Sequence, residues 1–363
     1  MKVGLVLGAG GVQGGAWLTG GLDALADATG WDPAKADAVV GTSAGSMIGS
    51  LIAAGLPPWF LVAHSEGMTI EGLEDARGEP AADADRSAGA VFKAEAGAFP
   101  FFPGSLPLAL RSMIRPHRHT PAGVLSGWLP RGIISGEPLR DIIRRSVRGA
   151  WTEHPNHWVV ACDYSTGHRV SFGRQGAPRV QLAEAVAASC AIPGFYRPVR
   201  IADRLYVDGG IWSTSNLDVV RGQGLDLVIC LNPTSTLHPI GAAVNPLSWI
   251  RLLTHSEAGK RLGREAQRLR AEGTEVALIQ PTGRDLDTMG INLMAATNRN
   301  EVIQVARETV AEQLSFEPLA SMLADLPAGD PDMVRRPDRP SSEWPNLEAL
   351  GARVAAVDAS VDA

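Results

Sequence analysis

Ser43 stands between two glycines in Gly41-Thr42-Ser43-Ala44-Gly45, inside the apolar run VVGTSAGSMIGSLIAAGL at residues 39–56. A strand that passes straight into a helix through such a pentapeptide forces the serine onto a tight turn, where only glycine neighbours avoid backbone clashes. The hydroxyl is then pushed out of the fold, placed to attack a carbonyl. A chain with 40 glycines produces this pentapeptide by chance often enough that it carries weight only in company.

The first companion is GAGGVQGG, Gly8 to Gly15, between an apolar strand pattern and a helical one. Backbone N–H groups at such a helix start can hold an anion. A dinucleotide-binding turn needs glycine where Gln13 stands, and no acidic residue closes the second strand, so nucleotide binding is disfavoured. In a parallel sheet the carboxyl ends of neighbouring strands share one edge, which brings the Gly8–Gly14 loop to Ser43. The amides of Gly10 and Gly11 can then stabilise the oxyanion formed as Ser43 attacks an acyl group.

A serine hydroxyl also needs a proton acceptor. None of the eight histidines has a flanking glycine turn that would present it at a sheet edge. Asp208 does: it ends RLYVD and is followed by Gly209-Gly210. Taken alone, Asp-Gly is simply a common turn.

The elements that must position these groups follow from the pattern. KVGLVLG and ADAVVGT read as strands buried on both faces, with a helix from Gly14 to about Ala28 between them and another over 44–55, ended by Gly55 and Pro57-Pro58. From 65 to 136 the periodicity breaks into Ala/Gly/Asp-rich and Pro-rich apolar pieces, which reads as an insertion. A helix at 137–147, the strand HWVVACDY, a helix near 181–189 and the strands RLYVD and LDLVICLNP follow. After them come helices at 246–271 and 298–314, with the strand TEVALIQ between. Strands alternating with helices predict an α/β layer fold, a mostly parallel sheet sandwiched by helices.

Composition narrows the function classes. The chain has 363 residues, 45% of them apolar and 20% charged, and a net charge of -6 without long like-charge blocks, which argues against a nucleic-acid binder. Cys162, Cys190 and Cys230 have no metal-ligand spacing and read as reduced, buried residues. The opening MKVGLVLGAGG is too short in apolar residues for a signal peptide, so a cytoplasmic location is expected by default. The many Phe, Leu, Met and Trp residues of 99–129 predict a cover over an acyl groove or a transient contact with a membrane surface.

Together, GAGGVQGG, GTSAGS, ASCAIPGF at 188–195 and VDGG occur in the order and at roughly the separations of the patatin-like phospholipase family, which the chain resembles from about Val3 to Pro233. LPRGIISGEPLRDII also resembles a stretch common there. The resemblance implies a three-layer α/β acyl hydrolase domain over 1–317. Within it, 65–136 forms a lid-like insertion and 234–317 is matched only loosely; a linker-like tail, 318–363, follows. It implies a Ser-Asp dyad without histidine acting on lipid acyl esters, with no cofactor or metal. Ser43 would be the nucleophile, Asp208 the base, and Gly10 and Gly11 the oxyanion donors. Gly8, Gly14, Gly41, Gly45 and Gly209 would be supporting turns, and Ser189 to Pro193 a support beside the dyad. Two departures stand out: Gln13 replaces a basic residue, and no asparagine directly follows Asp208-Gly209-Gly210.

Two rivals remain at this stage. One is an α/β-hydrolase with a Ser43, Asp208, His255 triad, although His255 falls in a helical pattern at a polar position. The other is a catalytically weak lipid-binding protein, suggested by Gln13. A dyad without imidazole also predicts a pH profile with no acid limb near about 6.5.

Overall fold

The computed structural model of the chain describes residues 1–67, 73–75, 92–147, 149–235, 246–336 and 352–354; for 73–75, 246–257 and 352–354 it describes the backbone alone. The first half runs β1 (Val3–Leu7), α1 (Gly11–Thr29), β2 (Ala38–Thr42), α2 (Ala44–Ala53), α3 (Pro58–Glu66), β3 (Leu73–Asp75), α4 (Leu106–Ile114), α5 (Pro121–Trp128) and α6 (Glu137–Ser146). Then come β4 (His157–Asp163), β5 (Arg169–Phe172), α7 (Leu182–Ser189), β6 (Val199–Ile201), β7 (Arg204–Asp208), β8 (Leu227–Leu231), α8 (Pro246–Ala271) and β9 (Glu275–Ile279). The chain closes with α9 (Gly283–Met289), α10 (Arg299–Leu314), α11 (Leu319–Leu323), α12 (Pro331–Val334) and β10 (Ala352–Val354).

The main sheet has the order β6-β7-β4-β2-β1-β8-β9, with β5 also paired to β4. β4, β2, β1, β8 and β9 are mutually parallel, whereas β5, β6 and β7 run antiparallel to their neighbours. β3 and β10 form a separate antiparallel pair. Because side chains alternate across a strand, Leu5 and Leu7 of β1 face one layer while Val6 faces the other. The first layer is α1, α2, α3, α7 and α10. The second includes Leu262, Ala266 and Leu269 of α8, spaced i, i+4, i+7. This is the three-layer α/β arrangement the pattern predicted. The run at 39–56 is a buried strand followed by a packed helix. Among the described residues no single helix is long and apolar enough to cross a membrane; α2 and α3 pass together on composition but are bent by 119°.

Several elements escaped the periodicity. The helix over 44–55 does stop before Pro57-Pro58, but the pair also opens α3, unexpected from the pattern, with proline at its first turn, where a missing N–H costs nothing. Between 92 and 136, α4 and α5 each open the same way, with Ser105 and Thr120 as N-caps accepting from Leu108 N and Gly123 N. Leu108, grouped from sequence with the lipid-facing residues, is fully buried against Cys162, Tyr164, Val207 and Ile211. The stretch read as the start of a linker-like tail carries α11 and α12. There Leu323 and Val334 are buried, and Trp59 Nε1 donates to the Asp332 carbonyl at 2.9 Å.

Leu108→Ala is therefore expected to cost about 2–5 kcal/mol in chemical denaturation, as other large-to-small core changes do. Met113→Ala, on the 64% exposed side of the same helix, should stay within about 0.5 kcal/mol of the parent.

Candidate active site

β4 is the template on which the site is assembled. Its residues 159–160 pair with β5 on one flank and β2 on the other, and its residues 161–162 pair with β5 and with β7. β2 and β7 therefore share a flank and run toward each other. β2 stops with Thr42 opposite Val160, and β7 stops with Asp208 opposite Ala161. The sequence reading placed Asp208 at a strand's carboxyl end, and so it is. But β7 is antiparallel, and its end reaches the edge only because the strand starts beyond it, with Tyr206 opposite Asp163.

Ser43 follows Thr42 with φ 53° and ψ -121°, a left-handed conformation that a residue with a Cβ rarely holds. Its surroundings fix it there. Ser43 N donates to Ser189 Oγ at 2.8 Å, and Ser189 Oγ donates to the Val160 carbonyl at 2.6 Å. The Ser43 carbonyl accepts from Ser46 Oγ at 2.7 Å and from the amides of Ser46 and Met47 at 2.8 and 3.2 Å. A Cβ on Gly41 would meet Ser46 Cα at 2.5 Å, and one on Gly45 would run into the Leu7 carbonyl. Both glycines are needed for the approach itself.

The two glycine loops touch. Gly45 N donates to the Gly8 carbonyl at 3.1 Å, and Ala9 N to the Thr214 carbonyl at 2.8 Å, which ties the first loop to the segment after Asp208. A Cβ on Gly10 would meet Gly14 Cα at 2.6 Å and Pro233 Cγ at 2.7 Å; Gly11 has φ +62°. The amides of Gly10, Gly11 and Val12 have no acceptor among the described residues, and they open α1, whose N-terminal end attracts negative charge.

Asp208 is 5% exposed and Ser43 4%. The Asp208 carboxyl lies in the neighbourhood of the Ser43 hydroxyl, and Gly210 N donates to Asp208 Oδ1 at 2.7 Å. Burial pushes the Asp208 carboxyl up from 3.8 to about 6, and the Ser43 hydroxyl and the Gly210 amide pull the other way. Beside them, burial raises the Cys190 thiol to about 12, so it stays protonated.

Among the described residues no histidine is hydrogen-bonded to Ser43 or Asp208. His157 begins β4 at the far end from the site, where its ring nitrogens meet Ser50 Oγ at 3.3 Å and Thr152 Oγ1 at 3.0 Å, and burial lowers it to about 3. The His255 side chain lies outside the described residues. No group of three His, Cys, Asp or Glu that could hold a metal occurs among the described residues.

Gln13 is fully buried and donates to the Ala295 carbonyl at 2.7 Å and to Asn298 Oδ1 at 2.6 Å. Its backbone N donates to the Leu293 carbonyl at 3.0 Å, and Met294 lies against Gly11. Gln13 thus fastens residues 293–298 to the first glycine loop. Sequence reasoning missed Asn216, whose side-chain amide donates to Thr42 Oγ1 at 3.1 Å, to the Gly209 carbonyl at 3.4 Å and to the Ser213 carbonyl at 2.6 Å. It clamps the end of β2 to the turn after β7. An asparagine with φ 49° in a Ser/Thr-rich loop reads as an ordinary turn residue, so its only signal was its presence eight positions after Asp208.

An α/β sheet that carries a serine elbow, a buried carboxylate across from it and helix-start amides with no acceptor among the described residues defines a class of hydrolase-like folds. A family model described as patatin-like phospholipase matches residues 5–221, and the chain belongs to that family of lipid acyl hydrolases.

The raised Asp208 predicts a measurable linkage. A carboxyl whose folded value lies above its unfolded one gives stability that is fully present below about 3.8 and is lost as pH rises through about 6. Asp208→Asn should consequently be more stable than the parent at pH 7, by on the order of 1–3 kcal/mol. The difference should vanish by pH 4; denaturant midpoints of the two proteins across that range read it out.

Proposed function

We propose that the protein is a serine esterase that cleaves lipid acyl esters through an acyl-enzyme, with Ser43 as nucleophile and Asp208 as its base. The observation that carries this reading is a serine on a strained elbow that ends β2 where β7 ends in a buried carboxyl, near the Gly10 and Gly11 amides, which have no acceptor among the described residues. In the first half-reaction Asp208 accepts the Ser43 proton as Oγ attacks the ester carbonyl. The oxyanion takes hydrogen bonds from the Gly10 and Gly11 amides, aided by the partial positive end of α1. Collapse expels the alcohol, which leaves with the proton held on Asp208. Water then attacks the acyl-Ser43 ester with Asp208 again as base, and collapse returns that proton from Asp208 to the departing Ser43 Oγ as the fatty acid leaves.

With its carboxyl near 6, Asp208 is about nine-tenths ionised at pH 7 yet more basic than a solvent carboxylate. A base poised near the working pH is the more effective acceptor. This revises one expectation: the dyad itself generates an acid limb near pH 6, so such a limb does not separate it from an imidazole. Temperature does, because carboxyl ionisation has almost no enthalpy and imidazole ionisation has a large one.

A fluorophosphonate probe is expected to label Ser43 alone, and Ser43→Ala should abolish labelling. Asp208→Asn should lower turnover of medium-chain p-nitrophenyl esters by on the order of a hundredfold to ten-thousandfold, while His255→Ala keeps most of it. The acid limb near pH 6 should stay in place as the assay is warmed. A dead His255→Ala protein together with an active Asp208→Asn protein would replace the dyad with a triad. Failure of folded protein to take the probe would favour a lipid-binding role.

A further inference from the structure

α4 is apolar on two opposite sides. Leu108, Ala109 and Ser112 are buried, whereas Leu106, Leu110, Met113 and Ile114 are exposed. The exposed four sit at i, i+4, i+7 and i+8, so at 3.6 residues per turn they form one stripe along the outer side of the helix. Ile114 is 76% exposed and Met113 64%. On α5, packed against α4, Leu125 and Trp128 at i and i+3 are exposed as well. Phe101 and Phe102 lead into α4 and are exposed too, with the Arg131 guanidinium 5.5 Å from the Phe101 ring centre.

The charge on this segment is one-sided. Between Glu95 and Glu137 the chain holds Arg111, Arg115, Arg118 and Arg131 and no aspartate or glutamate, in a protein whose net charge is -6. None of the four arginines pairs with a carboxylate among the described residues: Arg111 donates to the Ser165 carbonyl at 3.1 Å and Arg131 to the Gly104 carbonyl at 2.8 Å. Arg115 and Arg118 follow the apolar stripe directly and are exposed.

We propose that α4, α5 and the Phe101-Phe102 approach form a docking surface for an anionic lipid bilayer. An apolar helical stripe bounded by arginines that have no carboxylate partner among the described residues suits an interface where side chains enter the acyl boundary and guanidiniums meet headgroup phosphates. A symmetric contact with a second copy would set these arginines against themselves, which opposes self-association. The surface also lies next to the dyad. Leu108 packs on Ile211, three residues after Asp208, and Thr120 Oγ1 donates to the Ile211 carbonyl. The inference deepens the lipid hydrolase reading by naming the surface on which substrate lies, and it rests on that reading for its purpose only.

The test is co-sedimentation of the full chain with vesicles of phosphatidylcholine alone or mixed with one third phosphatidylglycerol. Binding is expected on the mixed vesicles, weakly or not at all on phosphatidylcholine, and should fall at high salt. Arg115→Gln with Arg118→Gln should weaken partitioning on the mixed vesicles by about 30-fold, taking each arginine as worth about one headgroup contact. Met113→Ser with Ile114→Ser should weaken it on any vesicle. Thermal unfolding like the parent's shows that both double variants are folded. Ser43→Ala should bind as the parent does, so a failed hydrolase reading leaves vesicle binding intact, and failed binding leaves turnover of a soluble ester intact. Equal binding to both vesicle types, undiminished binding by the arginine variant, or lipid-free dimers that the Met113/Ile114 variant dissolves would each overturn the proposal.

Discussion

β2 and β7 approach each other along one flank of β4 and stop one residue apart, opposite Val160 and Ala161. The ladder hydrogen bonds of β4 thereby fix the separation of Ser43 and Asp208, which are 165 positions apart in the sequence. Neither residue is free to choose its place. A one-residue slip of either strand would turn its terminal side chain to the other face of the sheet and take the hydroxyl away from the carboxyl. The flank is also where Asn216 and Ser189 act: one ties Thr42 to the Gly209 turn, and the other holds the Ser43 amide to Val160. Two side chains thus secure the register that brings Ser43 and Asp208 together.

This constraint is maintained at a local cost. A non-glycine residue at φ 53° is strained by about 1–3 kcal/mol, and an aspartate shifted to about 6 is destabilised in its ionised form by a comparable amount. The offset comes from the surroundings. The Ser43 backbone is satisfied at both its N–H and its carbonyl, and β1, β2 and β4 are buried on both faces.

The parts of the site that depend on backbone sterics were legible in the sequence. Gly41, Gly45 and the Gly8–Gly14 loop announce close approaches that no side chain tolerates, and the structure places the Leu7 carbonyl and Pro233 there. The parallel strands were legible for a similar reason, because continuous Val/Ile/Leu runs bounded by glycine have few other uses. What was hidden depends on long-range geometry. The antiparallel course of β7 leaves no mark on RLYVD, and Asn216 looks like a turn residue until its partners are known. α4 was hidden by its own composition: apolar residues on both the buried and the exposed side erase the polar half of the period that identifies a surface helix.

That erased period has a further consequence for how the molecule is organised. The buried side of α4 is pinned by Leu108 and by the Ser105 hydroxyl, which donates to the Tyr164 carbonyl at 2.5 Å; the Tyr164 hydroxyl in turn donates to the Ser126 carbonyl of α5 at 2.9 Å. The helix pair is therefore part of the same packed unit as β4 and β7. Whatever meets its outer stripe meets a surface held at a fixed distance and angle from the Ser43-Asp208 pair. An apolar face on a loosely tethered segment would have to be positioned anew at each encounter, with an entropic cost each time. Here the folded core has already met that cost, so contact at the outer stripe also sets the orientation of Ser43 and Asp208 toward what lies beneath it.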